Sequence, residues 1–375
     1  MWFDSKDIIQ HNIIKVEDLH GYVLPHAGTE YTGNIISHTL RFRPTKLFTK
    51  IIILYYPASA TFDVEDNYFH EYYVPWKSLE TIFGKNISYE GYNVAKPAKK
   101  LPIISGDTLV IVSADFSHFL PFSEAIELEN NAAHSLMFKR VDKELEAVDD
   151  VKTFRTLYDI IPEEWLLQWI GRTRSKGISG VGYLSFLLRE MPKQADALNA
   201  NGMFVTAFSE QMTARECLGE WFNGRNKWTP AIEKNLIDKV LRLGSTTSRL
   251  TNGTELDIPL TNYTITYLYK TNSSKFIRGW HGILHNAFFL PEVFLENTYD
   301  NGVWIKSSDK EWPAVNNTTE FNLQETLRKL NLKAGMLGGT KKNKKNARKK
   351  NKTSRKSKGG NNYTLFNSKV AHYFI

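Results

Sequence analysis

The sequence predicts an α/β protein in which a larger first part is followed by a smaller α+β part. Three short apolar runs, at residues 22–24, 50–56 and 109–113, are typical of strands buried on both faces of a parallel sheet. Apolar residues at helical spacing follow the first run. From residue 228 onward, a capped helix precedes strands with alternating side chains, which favours an antiparallel sheet. We therefore expect two sheets of different construction.

Composition sets the broad class of the protein. The 375 residues are 42% hydrophobic, which is sufficient for two buried cores. Cys217 is the single cysteine, so neither an intrachain disulfide nor a cysteine-rich metal site can form. Charges interrupt the first ten residues, and no apolar run has the length of a membrane span. We expect an intracellular protein, cytoplasmic or nuclear, that is not secreted and has no membrane partner.

The positive charge is concentrated in one segment. Eleven Lys and Arg residues lie between Lys341 and Lys358 without an acidic residue, and leaving these eleven out changes the net charge from +8 to −3. Like-charge repulsion and a lack of apolar residues predict a disordered basic insert over residues 338–360. Two interpretations remain open for it. It is either a solvated linker, or a nucleic-acid contact or nuclear-import signal acting through residues 341–358.

The first strand leads directly to a histidine. Pro25 cannot donate a ladder hydrogen bond, so His26 is expected at the carboxyl edge of the strand formed by residues 22–24. Open α/β sheets bind ligands at this edge. Gly28 permits a tight turn, and Thr32 can cap the helix that follows. Because an isolated histidine in such a turn is more often structural, a functional role for His26 requires a partner.

A second strand end supplies the expected partner. Residues 109–113 form a short apolar strand, and Asp115 and His118 follow it immediately. The carboxyl ends of parallel strands share one edge of a sheet. His26 and His118 are therefore predicted to face one crevice.

The two stretches also carry a family resemblance. The sequences PHAGTEYTG at residues 25–33 and SADFSHFL at residues 113–120 resemble the Memo family, whose marks are a PHAGYxYxG turn and an SSDFxHxG turn. Members of this family are relatives of the class III extradiol dioxygenases. The resemblance implies a Memo or class III extradiol dioxygenase-like α/β domain.

The resemblance also implies roles for individual residues. His26 and His118 correspond to two metal-ligand positions, while Asp115 and Tyr31 correspond to a pocket acid and a pocket tyrosine. His118, Asp115 and Tyr31 are accordingly the predicted catalytic residues. Asp115 is interpreted as the group that orients a histidine and fixes its tautomer. Iron, copper or zinc is the cofactor that such a crevice would hold.

Two metal-ligand positions of the family are substituted. Ser59 stands where a PSHH turn supplies the second histidine, and Ser179 stands where an ICGxxPI turn supplies a cysteine. A serine hydroxyl is a much poorer ligand for a transition metal than a thiolate. The crevice is thus predicted to be degenerate. The carboxylates that could complete a ligand set are Asp115, Glu30, Asp63 and Glu65.

The second half resembles another family. The sequences RGWHG at residues 278–282, LPEV at 290–293 and KAGM at 333–336 are similar to motifs of the AMME chromosomal-region protein family, which is encoded beside Memo-like proteins in the bacterial AmmeMemoRadiSam cassette. The family motif RGCIG has a cysteine where this chain has Trp280. Chemistry that depends on that thiol is therefore not expected.

Local patterns predict four further helices. They cover residues 76–84, residues 122–148, the last part of the segment 177–188, and the segment from Ser209 to about residue 222. Residues 262–270 and 275–284 are predicted to pair as a hairpin. The predicted domains are a Memo-like domain (1–222), a linker (223–227), an AMME-like domain (228–337), the basic insert (338–360) and a closing strand (361–375).

Two functions are consistent with these observations. The first is a Memo-like protein with a degenerate metal crevice and metal-dependent oxidoreductase-like activity on an unidentified small molecule. The alternative is a catalytically inactive binding or scaffold module whose basic segment contacts nucleic acid.

Overall fold

The computed structural model describes residues 2–57, 68–96, 101–141, 145–175, 180–209, 215–221, 228–244, 260–273, 275–297, 326–331 and 363–374. The predicted linker 223–227, the basic insert 338–360 and the residues Ser59, Asp63, Glu65 and Ser179 lie outside the described residues.

The first half of the chain contains eight strands, five α-helices and a short 3-10 helix (Ser5–Asp7) among its described residues. The strands are β1 (Ile14–Val16), β2 (Leu19–Leu24), β3 (Phe42–Pro44), β4 (Lys50–Tyr55), β5 (Ser88–Asn93), β6 (Thr108–Ser113), β7 (Trp165–Arg174) and β8 (Gly182–Glu190). The helices are α1 (Thr29–Thr39), α2 (His70–Phe83), α3 (Phe122–Met137), α4 (Val151–Ile160) and α5 (Gln194–Leu198).

Six of these strands form a mixed sheet in the order β5-β4-β6-β2-β8-β7. The first four of these are mutually parallel, whereas β8 and β7 run antiparallel to their neighbours. A separate parallel pair is formed by β1 and β3. The predicted α/β class is confirmed by this arrangement of parallel strands and connecting helices.

Helices cover both faces of this sheet, which explains the continuous apolar runs. In β4, Ile51 and Ile53 pack in the core formed with α1 and α2, whereas Ile52 and Leu54 pack in the core formed with α3 and α4. All four side chains are buried. A strand covered on both faces has no polar side, so its sequence does not alternate. In the described part of the chain, no helix combines the length and apolar character needed to cross a membrane.

The second sheet is antiparallel throughout. Its strands are β9 (Gly202–Ser209), β10 (Arg215–Trp221), β11 (Leu260–Lys270), β12 (His281–Leu284), β13 (Phe288–Phe289) and β14 (Thr364–Phe374), and its helices are α6 (Pro230–Gly244) and α7 (Val293–Glu296). The strand order is β10-β9-β11-β14-β12-β13. Because β9 pairs with β11, this sheet combines strands from before and after residue 222.

Two helix predictions in the first half are corrected. The end of residues 177–188 forms strand β8 instead of a helix, because it lies between β2 and β7 and is buried on both faces. The helix predicted over residues 122–148 ends at Met137. Lys139 has a φ of 57°, in the left-handed region, and this conformation ends the helical path.

Two predictions in the second half are also wrong. Residues 215–221 form strand β10 rather than a helix, since they pair antiparallel with β9. The predicted hairpin of residues 262–270 with 275–284 does not form. The C-terminal strand β14 lies between β11 and β12 and pairs with both, so a distant segment has replaced the local partner.

A fully buried ionic network connects the two halves. The Glu129 carboxylate of α3 accepts from Arg172 at 2.6 Å and from Arg174 at 3.2 Å, and these side chains are 0% exposed. The Arg172 guanidinium also donates to the carbonyl oxygen of Leu295 in α7 at 3.0 Å. Removing one member of such a network leaves an uncompensated buried charge, which is strongly destabilising.

The Glu129→Gln variant tests this role. It keeps the shape of the side chain but removes the negative charge between two arginines, so the free energy of unfolding should fall by roughly 3 kcal/mol. Glu127→Gln, at an exposed position on the same helix, is the matched control and should have little effect. Urea denaturation measures both. Equal unfolding midpoints for the two variants would contradict the assignment.

Candidate functional site

The candidate site lies where β2 and β6 end together. The two strands are parallel neighbours, with Leu24 opposite Ser113 in the register. The N–H of Ala114 donates to the carbonyl oxygen of Leu24 at 3.0 Å. Beyond this point the backbone N–H of His26 donates to Oδ1 of Asp115 at 2.8 Å. The structure therefore brings His26 and Asp115 together where the two strands end.

Two carboxylates converge on the His26 ring. Nε2 of His26 is 3.2 Å from Oδ2 of Asp149 and 3.8 Å from Oδ2 of Asp115. Asp149 precedes α4, whose N-cap is Asp150. The N–H of Asp115 donates to Oδ2 of Asp149 at 3.2 Å, and the N–H of Asp149 donates to the carbonyl oxygen of Asp115 at 3.3 Å. These two reciprocal hydrogen bonds hold the second carboxylate beside the ring.

The hydrogen-bond network fixes which nitrogen of His26 faces the carboxylates. Nδ1 of His26 is 3.0 Å from Oγ of Ser113, and that hydroxyl donates its proton to the carbonyl oxygen of Glu71. Since the hydroxyl has one proton, Oγ must accept from an Nδ1–H of His26. Nε2 is consequently the nitrogen that changes protonation, and it is the one directed at Asp149.

The surroundings of His26 favour its charged form. Burial acts to lower the pKa of His26, but the Asp115 carboxylate and the hydrogen bond with Asp149 outweigh it and raise the pKa to about 9. Burial raises the pKa of Asp115, and the positive charge of His26 opposes that rise. The cluster therefore holds an imidazolium between carboxylates at neutral pH.

The other predicted residues lie around this cluster. Tyr31, on α1, is 51% exposed. His118 is also exposed, and its backbone forms a bridge with Val181. No hydrogen bond or ring contact joins His118 to His26 among the described residues, although the charge of His118 acts to lower the pKa of Asp115. Burial raises the pKa of Tyr183 well above its usual range, and Asp115 and Tyr31 add to this effect.

Sequence reasoning missed several neighbours of His26. His70 and Glu71 begin α2, and the His70 ring stacks on Trp2 with ring centroids 4.4 Å apart. The rings of His26 and His70 are 5.5 Å apart. Both missed residues could have been found, because the helix that follows β4 begins at the same sheet edge. Two aspartates, Asp149 and Asp150, precede α4, and one of them is enough to cap the helix. The second aspartate, Asp149, could therefore have been considered for another role.

Neither protein-family models nor curated proteins give a match to this chain. Within the described ranges, no three His, Cys, Asp or Glu residues already form an arrangement that could hold a metal ion. Ser59, Ser179, Asp63 and Glu65 lie outside those ranges, as stated above. Among the carboxylates considered from the sequence, Asp115 lies at the His26 ring, and Glu30 is exposed on α1.

The pH dependence of stability tests the charged state of His26. Its pKa of about 9 in the folded protein lies above the ordinary value of 6.5, so the imidazolium stabilises the fold fully below pH 6.5. This contribution, about 3 kcal/mol at most, is lost as the pH rises through 9. Urea unfolding measures the free energy of unfolding at pH 6 and at pH 9.5. This free energy should decrease less between the two pH values for His26→Gln than for the wild type. The same decrease in both proteins would contradict the assignment.

Proposed function

We propose that the protein is Memo-like, and that its strand-end cluster is a degenerate metal crevice with metal-dependent oxidoreductase-like activity on a small molecule. One observation carries the proposal: Nε2 of His26 and the carboxylates of Asp149 and Asp115 converge where β2 and β6 end. Imidazole nitrogen and carboxylate oxygen are suitable ligands for iron, zinc and copper. The crevice resembles the Memo pattern at His26 and Asp115 and departs from it at Ser59 and Ser179.

The residues present fit a metal with two adjustments. The 3.2 Å between Nε2 of His26 and Oδ2 of Asp149 is close to the separation of roughly 3 Å expected for two ligands on one ion. The 3.8 Å to Asp115 is larger, so that carboxylate must approach. The proton on Nε2 must also leave. Ser113 already holds Nδ1 in the protonated form that a ligating histidine needs. We therefore expect weak metal binding, in which His26 already has the tautomer that a ligating histidine needs.

The remaining residues of the crevice have separate tasks. A bound metal would supply Lewis acidity and electron transfer. Asp115 fixes the His26 backbone through its 2.8 Å hydrogen bond, which keeps the ring at the strand end. His118 and Tyr31 are exposed, so their ionisable groups are available to a substrate entering from solvent. The proposed substrate is a small molecule bound at this rim.

Metal content tests the proposal directly. Protein prepared without a metal-affinity tag is equilibrated with ferrous ion or zinc, dialysed, and measured by elemental analysis. Asp149→Asn and His26→Gln should lower the metal affinity about tenfold or more, because each removes a ligand. Asp159→Asn, at an exposed position on α4, is the matched control and should retain metal like the wild type.

The outcome separates the two parts of the proposal. Equal metal retention by the wild type and by both ligand variants would show that the cluster is not the metal site. If metal binding depends on His26 and Asp149, oxygen consumption by the iron-loaded protein with added phenolic substrates tests the oxidoreductase part. Loaded protein without such activity would favour a binding module.

A second function is supported by the charge distribution of the chain. We propose that residues 341–358 contact nucleic acid, since eleven positive charges without an acidic residue lie in this segment. The rest of the protein has a net charge of −3 when the eleven are taken from +8, so it would not attract a polyanion as a whole. Binding through such a segment is electrostatic and has no sequence preference.

Deleting residues 341–358 tests this second function. The full chain should be retained on immobilised DNA at low salt and released steeply as the salt concentration rises, because binding displaces condensed counterions. The deleted protein should lose this retention at all salt concentrations. Replacing the segment by a Gly-Ser linker of equal length controls for the change in chain length. Unchanged retention by both altered proteins would contradict the proposal.

A further inference from the structure

A second cleft lies away from the strand-end cluster. It is formed by residues 10–14 and Arg41 on one side and by residues 271–281 of the second half on the other, with Asn367 of β14. Its volume is about 410 Å³, within the range of small-molecule sites. None of the residues that surround His26 lines it. It is therefore a separate candidate for a ligand.

The charge of this cleft is unbalanced. Arg41 and Lys275 line it, and no aspartate or glutamate is among its described lining residues. Nε of Arg41 is buried and has no hydrogen-bond partner among the described residues, and no ion pair is formed by its guanidinium within those ranges. Partial burial lowers the pKa of Arg41. Arg41 is itself partly exposed and lines the cleft, so an anion bound there can reach it.

Neighbouring histidines respond to the same positive charge. Burial, followed by the charges of Arg41 and Lys275, lowers the pKa of His11 to about 4. Burial, followed by Arg41 and Arg278, lowers the pKa of His38 to about 3. These imidazoles are neutral at pH 7 chiefly because burial disfavours their charged form, and the nearby cations add to this effect. The charges of Arg41 and Lys275 make the potential in the cleft positive, which favours an anion.

The neutral groups of the cleft include hydrogen-bond donors. The N–H of Ile277 donates to Nδ1 of His281 at 2.9 Å, so neutral His281 carries its proton on Nε2, where the Asn367 side chain is a partner. The Thr271 hydroxyl accepts from the N–H of Ser273 at 3.1 Å, which leaves its own proton for another partner. The amides of Gln10 and Asn12 also line the cleft. Donors around two cations match the oxygen atoms of an oxyanion.

We propose that this cleft binds a small molecule with a multiply charged oxyanion, a phosphate ester or a polycarboxylate, with Arg41 as the main anchor and Lys275 as the second cation. Arginine binds both oxyanions in a two-point geometry, which distinguishes it from lysine. The bound oxyanion supplies the partner that Nε of Arg41 lacks among the described residues. Lys275 is exposed at the cleft and adds a charge that needs no burial.

Calorimetric titration of the full chain tests this inference. The probes are inorganic phosphate, adenosine monophosphate and citrate, each compared with sodium chloride at equal ionic strength. Arg41→Gln should weaken binding of the active probe about tenfold or more, and Lys275→Gln should weaken it severalfold. Arg242→Gln, at an exposed position on α6, is the matched control and should bind like the wild type. It also shows whether general loss of positive charge has an effect.

Stability and probe selectivity complete the test. Without ligand, Arg41→Gln should melt at the wild-type temperature or above it, because it removes a partly buried charge whose Nε has no hydrogen-bond partner among the described residues. If this variant fails to fold, probe binding by the variant Lys275→Gln, at an exposed position, is compared with that of the wild type instead. Binding of phosphate and the phosphate ester alone identifies an ester as the ligand class, and binding of citrate alone identifies a polycarboxylate. Absence of binding by every probe at millimolar concentration, or equal binding by the Arg41 and Arg242 variants, would overturn the inference.

Discussion

Parallel pairing of β2 with β6 is the constraint on which the candidate site depends. A Cβ atom at Gly21 would lie 2.0 Å from the carbonyl oxygen of Val110, so the close approach of the two strands requires glycine at this position. The pairing places Leu24 opposite Ser113, so His26 and Asp115, each two residues further along, lie side by side beyond the strand ends. A shift of one residue would turn every side chain to the opposite face and separate the two groups.

Three charged groups among the described residues differ in how fully they are paired. Glu129 lies between two arginines at 0% exposure, and this closed network has a structural role. His26 also has carboxylate partners, but Asp149 is 21% exposed, so this cluster borders solvent, as the proposed exchange of its proton for a metal ion requires. Arg41 has a buried nitrogen without a hydrogen-bond partner among the described residues. The degree of pairing thus separates a structural network from two candidate binding sites.

The sequence allowed the central strands of the first sheet to be predicted. Residues 50–56 could be recognised as a central strand because burial on both faces leaves a continuous apolar run. The strand-end rule led to the expectation that His26 faces His118, whereas the structure shows a contact of His26 with Asp115. The strand β8 was mistaken for a helix because a short apolar run lacks a period that distinguishes the two. The Asp-Asp pair before α4 marks Asp149 as a residue not needed for capping, but its place beside His26 depends on hydrogen bonds with Asp115, 34 residues earlier. Local patterns do not encode contacts of this kind.

We propose that the groups around Nε2 of His26 form a weak metal site at the shared end of β2 and β6. Anomalous X-ray diffraction from crystals equilibrated with ferrous or manganous ion tests this proposal. We expect an anomalous peak at bonding distance from Nε2 of His26 and from a carboxylate oxygen of Asp149. Anomalous density that is absent from this position, or that is found only elsewhere in the molecule, would show that the cluster is not a metal site.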